Sequence, residues 1–240
     1  MKVIIIAGGL GTRISEETED KPKPMVLINS KPILWHIMNV FSLQGFQDFI
    51  ISTGYKSEII ENWVANNKIL DTHGNAMRIK TINTGLETQT GGRISEVMKL
   101  MPDERVIATY GDGLANVSIA SLLDFHKSHG KLATVTAVRP PARFGYLKTE
   151  NSLVTHFGEK NQSDEGWING GFFVLEPEVI SYVKSVSESF ETGALVRLTE
   201  ISQLMSYNHS GYWQPMDTLR EKLDLEKQST LSTPPWLDFN

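Results

Sequence analysis

Cysteine is absent from the 240-residue chain, which removes disulfides, thiolate metal ligands and cysteine nucleophiles together. A basic excess is absent too. The formal net charge is −5, so no field exists to hold a nucleic-acid backbone or an anionic membrane. Long apolar runs are also missing: the stretch Val3–Ile6 gives way at once to Ala7-Gly8-Gly9, too short for a signal peptide or a membrane span. Cytoplasmic residence is the resulting expectation. There is no internal repeat and no low-complexity tract. What is present, 40% hydrophobic and 21% charged residues, is ordinary for a soluble chain with a substantial core, and the length fits one large domain or one domain with small subdomains.

The continuous apolar run at 3–6, ending in glycines, reads as a strand buried on both faces. A helix follows over 31–44, with Ile33, Ile37, Val40 and Phe41 on one stripe and Gly45 as its stop. Further strands are expected at 48–53, 78–82, 105–109 and 131–138, with helices at 57–65, 94–101 and 118–129 between them. This alternation predicts an α/β fold, a Rossmann-like, mostly parallel sheet flanked by helices. The second half changes character, with closely spaced strands at 145–149, 153–157 and 168–175. A helix near 178–186, a strand at 204–208 and a helix at 217–228 follow. The Ser-, Thr- and Pro-containing tail, 229–240, reads as loosely attached.

The first strand runs into Ala7-Gly8-Gly9-Leu10-Gly11-Thr12-Arg13. Glycines let backbone N–H groups approach and face an anion. No Gly-Lys-Ser/Thr follows, so this is not a P-loop. Position 14 is Ile, so the third glycine of a dinucleotide fingerprint is missing. A tight strand-to-helix turn is the competing reading. Arg13, Lys21 and Lys23 tilt the balance: both lysines precede a proline, and Arg offers a planar fork to phosphate oxygens where Lys acts as a point charge. Tyr110-Gly111-Asp112-Gly113 ends an apolar run and puts a carboxylate at a strand's carboxyl end, where open α/β sheets bind ligands; an Asp-Gly turn is the alternative. Asp217 opens a helix and reads either as an N-cap or as a second acidic ligand. His126 and His129 lie one helical turn apart without a third ligand, which favours a structural role. Trp35 and Trp63 read as packing residues.

The pattern from Ala7 to Arg13, then Lys23-Pro24-Met25, resembles the sugar-phosphate nucleotidyltransferase family. Within it the chain looks most similar to the glucose-1-phosphate cytidylyltransferases, through Lys31-Pro32-Ile33-Leu34-Trp35-His36-Ile37-Met38, Thr90-Gly91-Gly92-Arg93, Tyr110-Gly111-Asp112-Gly113, Ile168-Asn169-Gly170-Gly171-Phe172-Phe173 and Gly211-Tyr212-Trp213-Gln214-Pro215-Met216-Asp217-Thr218. The resemblance spans nearly the whole chain. It implies one nucleotidyltransferase domain over 1–228, with a nucleotide-binding half to about 135 and a β-rich sugar-binding half over about 136–228. It implies transfer of a cytidylyl group from CTP to a hexose 1-phosphate, with UTP, dTTP or another acceptor, or a non-catalytic nucleotide-binding paralogue, as alternatives. Arg13 and Lys23 become the catalytic cations. Ile6, Ala7, Gly8, Gly9, Leu10, Gly11, Thr12, Thr88, Arg93 and Gly111 become the nucleotide contacts, with Arg93 near the pyrimidine and Gly111 near the ribose. Gly145, Glu159, Lys160, Asn169, Gly170 and Trp213 become the sugar-phosphate contacts, and Asp112 and Asp217 the ligands of Mg²⁺, a cation that prefers oxygen and needs few protein ligands. A homo-oligomer is the assembly such a resemblance allows. The chain departs from the family pattern in four places. Asn161 follows Glu159-Lys160 where Pro is usual, the segment between Asp71 and Asn83 is short, Asn83-Thr84-Gly85 stands where Asp-Thr-Gly is usual, and the Glu-x-x-Pro-Leu pattern is altered at Glu191-Thr192-Gly193-Ala194-Leu195.

Overall fold

A computed structural model describes residues 1–140, 145–150, 152–159 and 166–239, with the backbone alone at 145–149 and 156–159. The first half runs β1 (Val3–Ile6), α1 (Ser15–Thr18), β2 (Leu27–Ile28), β3 (Lys31–Pro32), α2 (Ile33–Ser42), β4 (Asp48–Thr53) and α3 (Ser57–Asn66). It continues with β5 (Arg78–Asn83), α4 (Thr90–Met98), β6 (Val106–Tyr110), β7 (Gly113–Ala115), α5 (Ile119–His129) and β8 (Ala133–Val138). The second half adds β9 (Gly145–Glu150), β10 (Leu153–Glu159), β11 (Ile168–Asn169), β12 (Phe173–Leu175), α6 (Ala194–Glu200), β13 (Leu204–His209), β14 (Trp213–Pro215) and α7 (Leu219–Ser229).

The main sheet has the order β11-β8-β12-β6-β1-β4-β5, and β13 pairs with β8. β4, β1 and β6 are parallel neighbours, as are β4 and β5 and β13 and β8; β12 and β11 run antiparallel to their partners. The expected mostly parallel α/β sheet is therefore present. Alternation within β1 explains why both of its faces are apolar. Val3 and Ile5 pack into one core with α2, α3 and α5, whereas Ile4 and Ile6 pack into the other with α4 and α6. The chain leaves β1 for β4 on one side, and β6 lies on the other. That switch point opens a crevice at the strands' carboxyl ends, where Ile6 pairs with both Ser52 and Tyr110.

The structure departs from the sequence reading at several elements. α2 is buried over its entire length, so it is a core helix rather than an amphipathic one. α4 opens at Thr90, four residues before the expected start. Gly91 and Gly92 lie inside that helix because the 186–190 backbone crosses it: a Cβ on Gly92 would come within 2.2 Å of the Val186 carbonyl oxygen. The strand expected over 168–175 is broken into β11 and β12, and the helix expected near 178–186 is a 3-10 turn over Pro177–Tyr182. α6, β7 and β14 were not anticipated. The tail is not loosely attached. A 3-10 turn at Pro235–Leu237 carries Trp236, wholly buried, into the core beside His36 and Tyr212. An apolar ring of that size outweighs the disorder that the flanking Ser, Thr and Pro residues favour.

Candidate active site

A cleft of about 720 Å³ opens at the switch point. Its lining includes the 6–13 segment, Lys23, Thr88, Arg93, Gly111, Asp112, Asn169, Trp213 and Asp217, so most of the residues singled out in the sequence share one cavity. The volume lies within the usual range for small-molecule sites.

The loop after β1 forms one wall. Among the described residues, no backbone N–H from Gly8 to Gly11 donates to another protein group, which leaves a run of donors suited to an anion. The loop is braced from below. Arg93, only 3% exposed, donates through Nη2 to the Gly8 carbonyl (2.9 Å) and the Leu86 carbonyl (3.4 Å), and through Nη1 to the Thr53 carbonyl (2.8 Å) and Thr84 Oγ1 (2.7 Å). Both terminal nitrogens are thus committed to the protein, and burial lowers the pKa of the guanidinium. A Cβ on Gly8 would fall 2.1 Å from Arg93 Nη1, so glycine there is a condition of the bracing. Thr88 Oγ1 donates to the Thr84 carbonyl at 2.5 Å, which fixes the 84–88 turn on the same wall. Gly111 closes the floor, its N–H donating to the Ile6 carbonyl at 3.0 Å.

The charged end of the cleft is built by three chain segments. Pro22, in extended conformation, leads into a single 3-10 turn over Lys23–Met25 that turns Lys23 inward. Its ammonium lies 2.7 Å from Asp112 Oδ2 and 2.6 Å from Asp217 Oδ1. Arg13 Nη1 reaches Asp217 Oδ2 at 2.5 Å. Lys21, the other lysine of the paired motif, stays outside and pairs with Asp20 at 3.5 Å. The two carboxylates meet because β7 and β14 pair antiparallel, with Gly113 opposite Pro215, and the Met216 N–H donates to the Asp112 carbonyl at 2.8 Å. Like charges about 4 Å apart near a protein surface repel by about 4 kcal/mol, so this convergence needs a cation, and Lys23 supplies it. Asp217 is not the helix cap. Thr218 is, in a capping box with Glu221 that also takes the Asp217 N–H at 2.7 Å, and the Asp217 carboxylate is left to the cations.

The opposite wall belongs to the second half. Asn169 Nδ2 donates to Tyr110 Oη at 2.9 Å, and the Trp213 indole N–H donates to the Gly170 carbonyl at 3.0 Å, so Gly170 stands behind the wall that Trp213 forms. Gly145 and Glu159 face each other in the β9–β10 hairpin; Lys160 lies outside the described residues. Sequence reasoning missed Glu191 as a member of this wall. Its carboxylate accepts from Tyr110 Oη (2.5 Å), Thr90 Oγ1 (2.6 Å) and Ser189 Oγ (2.7 Å). Burial raises its pKa, but those hydrogen bonds outweigh it and the net shift is downward. Burial and the same Glu191 charge push the Tyr110 phenol up, so it stays a donor. The only hint in the sequence was the position of Glu191 within the altered 191–195 pattern. His126 and His129 lie elsewhere, in a hydrogen-bonded chain with Thr134 and Glu176.

A family model described as "Nucleotidyl transferase" matches residues 2–227. The glucose-1-phosphate cytidylyltransferase of Salmonella typhi is 44% identical over 253 aligned residues, with 98% of each chain covered. A probable glucose-1-phosphate cytidylyltransferase of Bacillus subtilis is 38% identical, with 98% of this chain and 99% of the relative covered. Among solved structures, HddC from Yersinia pseudotuberculosis complexed with GMP-PN superposes with a TM-score of 0.74 at 25% identity, covering 95% of this chain and 99% of that one. Among the described residues no helix is long and apolar enough to cross a membrane.

Proposed function

The chain belongs to the nucleotidyl transferase family, and from that premise we propose that it transfers the cytidylyl group of CTP to glucose 1-phosphate, giving CDP-glucose and pyrophosphate. The observation that carries the reading is the convergence of Arg13, Lys23, Asp112 and Asp217 beside the 8–11 loop at one end of the cleft. Two anions must be brought together there and charge must be neutralised as pyrophosphate leaves. The loop N–H groups and Arg13 hold the triphosphate, and Lys23 meets the α-phosphate. The oxygen of the sugar phosphate is already ionised near neutral pH, so it attacks the α-phosphorus directly. One P–O bond forms as the bond to pyrophosphate breaks, with no enzyme nucleophile and no proton to remove.

The donor set suits a divalent cation. Asp112 and Asp217 offer oxygen only and already converge on one positive centre, the Lys23 ammonium. Among the described residues no cluster of three or more acidic, His or Cys side chains stands ready to enclose a metal, as expected of Mg²⁺, which keeps waters and substrate phosphates in its shell. When bound, Mg²⁺ would supply charge neutralisation at the triphosphate.

Thr88, Arg93 and Gly111 make up the base and ribose end, with Arg93 acting through the loop and turn that it braces. Asn169 and Trp213, with Gly170 behind them, face the sugar-phosphate end, and the family resemblance assigns Gly145, Glu159 and Lys160 to the same substrate. The test is pyrophosphate release with each of four nucleoside triphosphates against a panel of sugar 1-phosphates. CTP with glucose 1-phosphate should be the best pair. A better rate with UTP, dTTP or another acceptor would reassign the substrates, and no release with any pair would favour a nucleotide-binding role without turnover.

A further inference from the structure

The Lys23 ammonium is a compact point charge on a flexible stem, and the residue is only 6% exposed. It touches both candidate metal-holding carboxylates at once, at 2.7 and 2.6 Å, and so sits where a divalent cation using both would have to sit. Arg13 holds the second oxygen of Asp217. Two carboxylates and two cations leave this knot formally neutral. A free dication entering it would displace or face two positive side chains and bring no anion to compensate them. A dication arriving on a triphosphate brings anionic oxygens to which Lys23 and Arg13 can turn. With no third acidic ligand assembled among the described residues, the protein offers the free ion little in exchange.

We propose that Lys23 is a resident counter-ion that holds Asp112 and Asp217 together and withholds them from free divalent cations until a nucleoside triphosphate arrives. Lys23 therefore couples the two ligands, and because coupling is reciprocal, nucleotide tightens metal binding by the factor by which metal tightens nucleotide binding. This inference rests on the reading of Asp112 and Asp217 as the metal-holding pair.

The test is titration of the whole protein with Mn²⁺, followed by electron paramagnetic resonance, without nucleotide and then with CTP but no sugar phosphate. Mn²⁺ alone should bind wild-type protein at least about tenfold more weakly than Lys23→Gln protein, a factor within the usual range of such couplings. Added CTP should tighten Mn²⁺ binding in both proteins through its phosphate oxygens, but by at least about tenfold more in the wild type than in the variant. Equal Mn²⁺ affinity of the two proteins without nucleotide overturns the proposal. If Lys23→Gln loses the circular dichroism of the wild type, the wild-type titrations decide against a control of Mn²⁺ with CTP and no protein. Mn²⁺ bound by the protein as tightly without CTP as with it, or no more tightly in the presence of protein than by CTP alone, overturns the proposal. Mn²⁺ held in the ternary complex more tightly than by either partner alone supports it. The metal-alone titration does not depend on turnover, so failure of the substrate assignment leaves it readable.

Discussion

Arg93 Nη2 donates to the carbonyl oxygen of Gly8 at 2.9 Å, tying α4 to the loop that follows β1. With Thr53, Thr84 and Leu86 as its other acceptors, one buried guanidinium aligns the loop, the end of β4 and the 84–88 turn along one wall of the cleft. Lysine keeps the charge but lacks the fork. An unpaired buried acceptor costs about 1–3 kcal/mol, so Arg93→Lys should lower stability by roughly 2–4 kcal/mol in urea unfolding. It should also raise KM for the nucleotide more than it lowers kcat. Unchanged stability with a loss confined to one nucleobase would instead give Arg93 a direct reading role.

Trp236 anchors the last residues of the chain in the main core. Replacing a buried Trp with Ala costs about 3–5 kcal/mol. Trp236→Ala, or removal of the chain after Ser229, should therefore lower the urea midpoint sharply. A midpoint within error of the wild type would return the tail to the loosely attached status that its composition suggested.

The central sheet was legible because its strands are short continuous apolar runs: Val3–Ile6 is buried on both faces, and Val106–Tyr110 nearly so. Lys23 was legible because Pro22 and Pro24 restrict the chain on both sides of it, but nothing in the sequence said that Lys21 would stay at the surface. The meeting of Asp112 with Asp217 was expected from the family resemblance alone, because the route that brings them together leaves no trace in the sequence. It depends on β7 and β14, each three residues long and paired across about a hundred residues of sequence, and such short segments carry no periodic signal. Gly91 and Gly92 misled because glycine usually ends or interrupts a helix, whereas here the approach of the 186–190 backbone demands it. Glu191 was hidden because its partners Thr90 and Tyr110 come from distant elements.

His126 and His129 report on pH. The Lys131 N–H donates to His129 Nδ1 at 2.9 Å, so His129 carries its proton on Nε2 and gives it to Thr134 Oγ1, while His126 faces Thr134 and Glu176. Burial lowers both imidazole pKa values, with Arg105 opposing Glu176 at His126 and with His126 and Lys131 adding to the effect at His129. Folded values below the unfolded value of about 6.5 mean that the unfolded chain binds more protons as the solution is acidified. The stabilising contribution is complete above that pH and is lost as pH falls from about 6.5 toward the lowered folded values. Urea midpoints should therefore drop between pH 7 and 5.5 (roughly the window of an ordinary His), and less so in a His126→Asn, His129→Asn double variant. Parallel pH profiles for the two proteins would contradict this assignment.

The most direct measurement of the proposed chemistry is the stereochemical course at the transferred phosphorus. A single diastereomer of CTPαS is incubated with glucose 1-phosphate and Mg²⁺, and the sugar nucleotide is analysed by phosphorus NMR. One direct displacement in a site where Arg13 and Lys23 neutralise charge and no side chain attacks predicts a CDP-glucose thio-analogue of inverted configuration, with one pyrophosphate released per product. Retention of configuration would require a nucleotidyl-enzyme intermediate and would contradict the account, as would the absence of product with glucose 1-phosphate while another acceptor reacts.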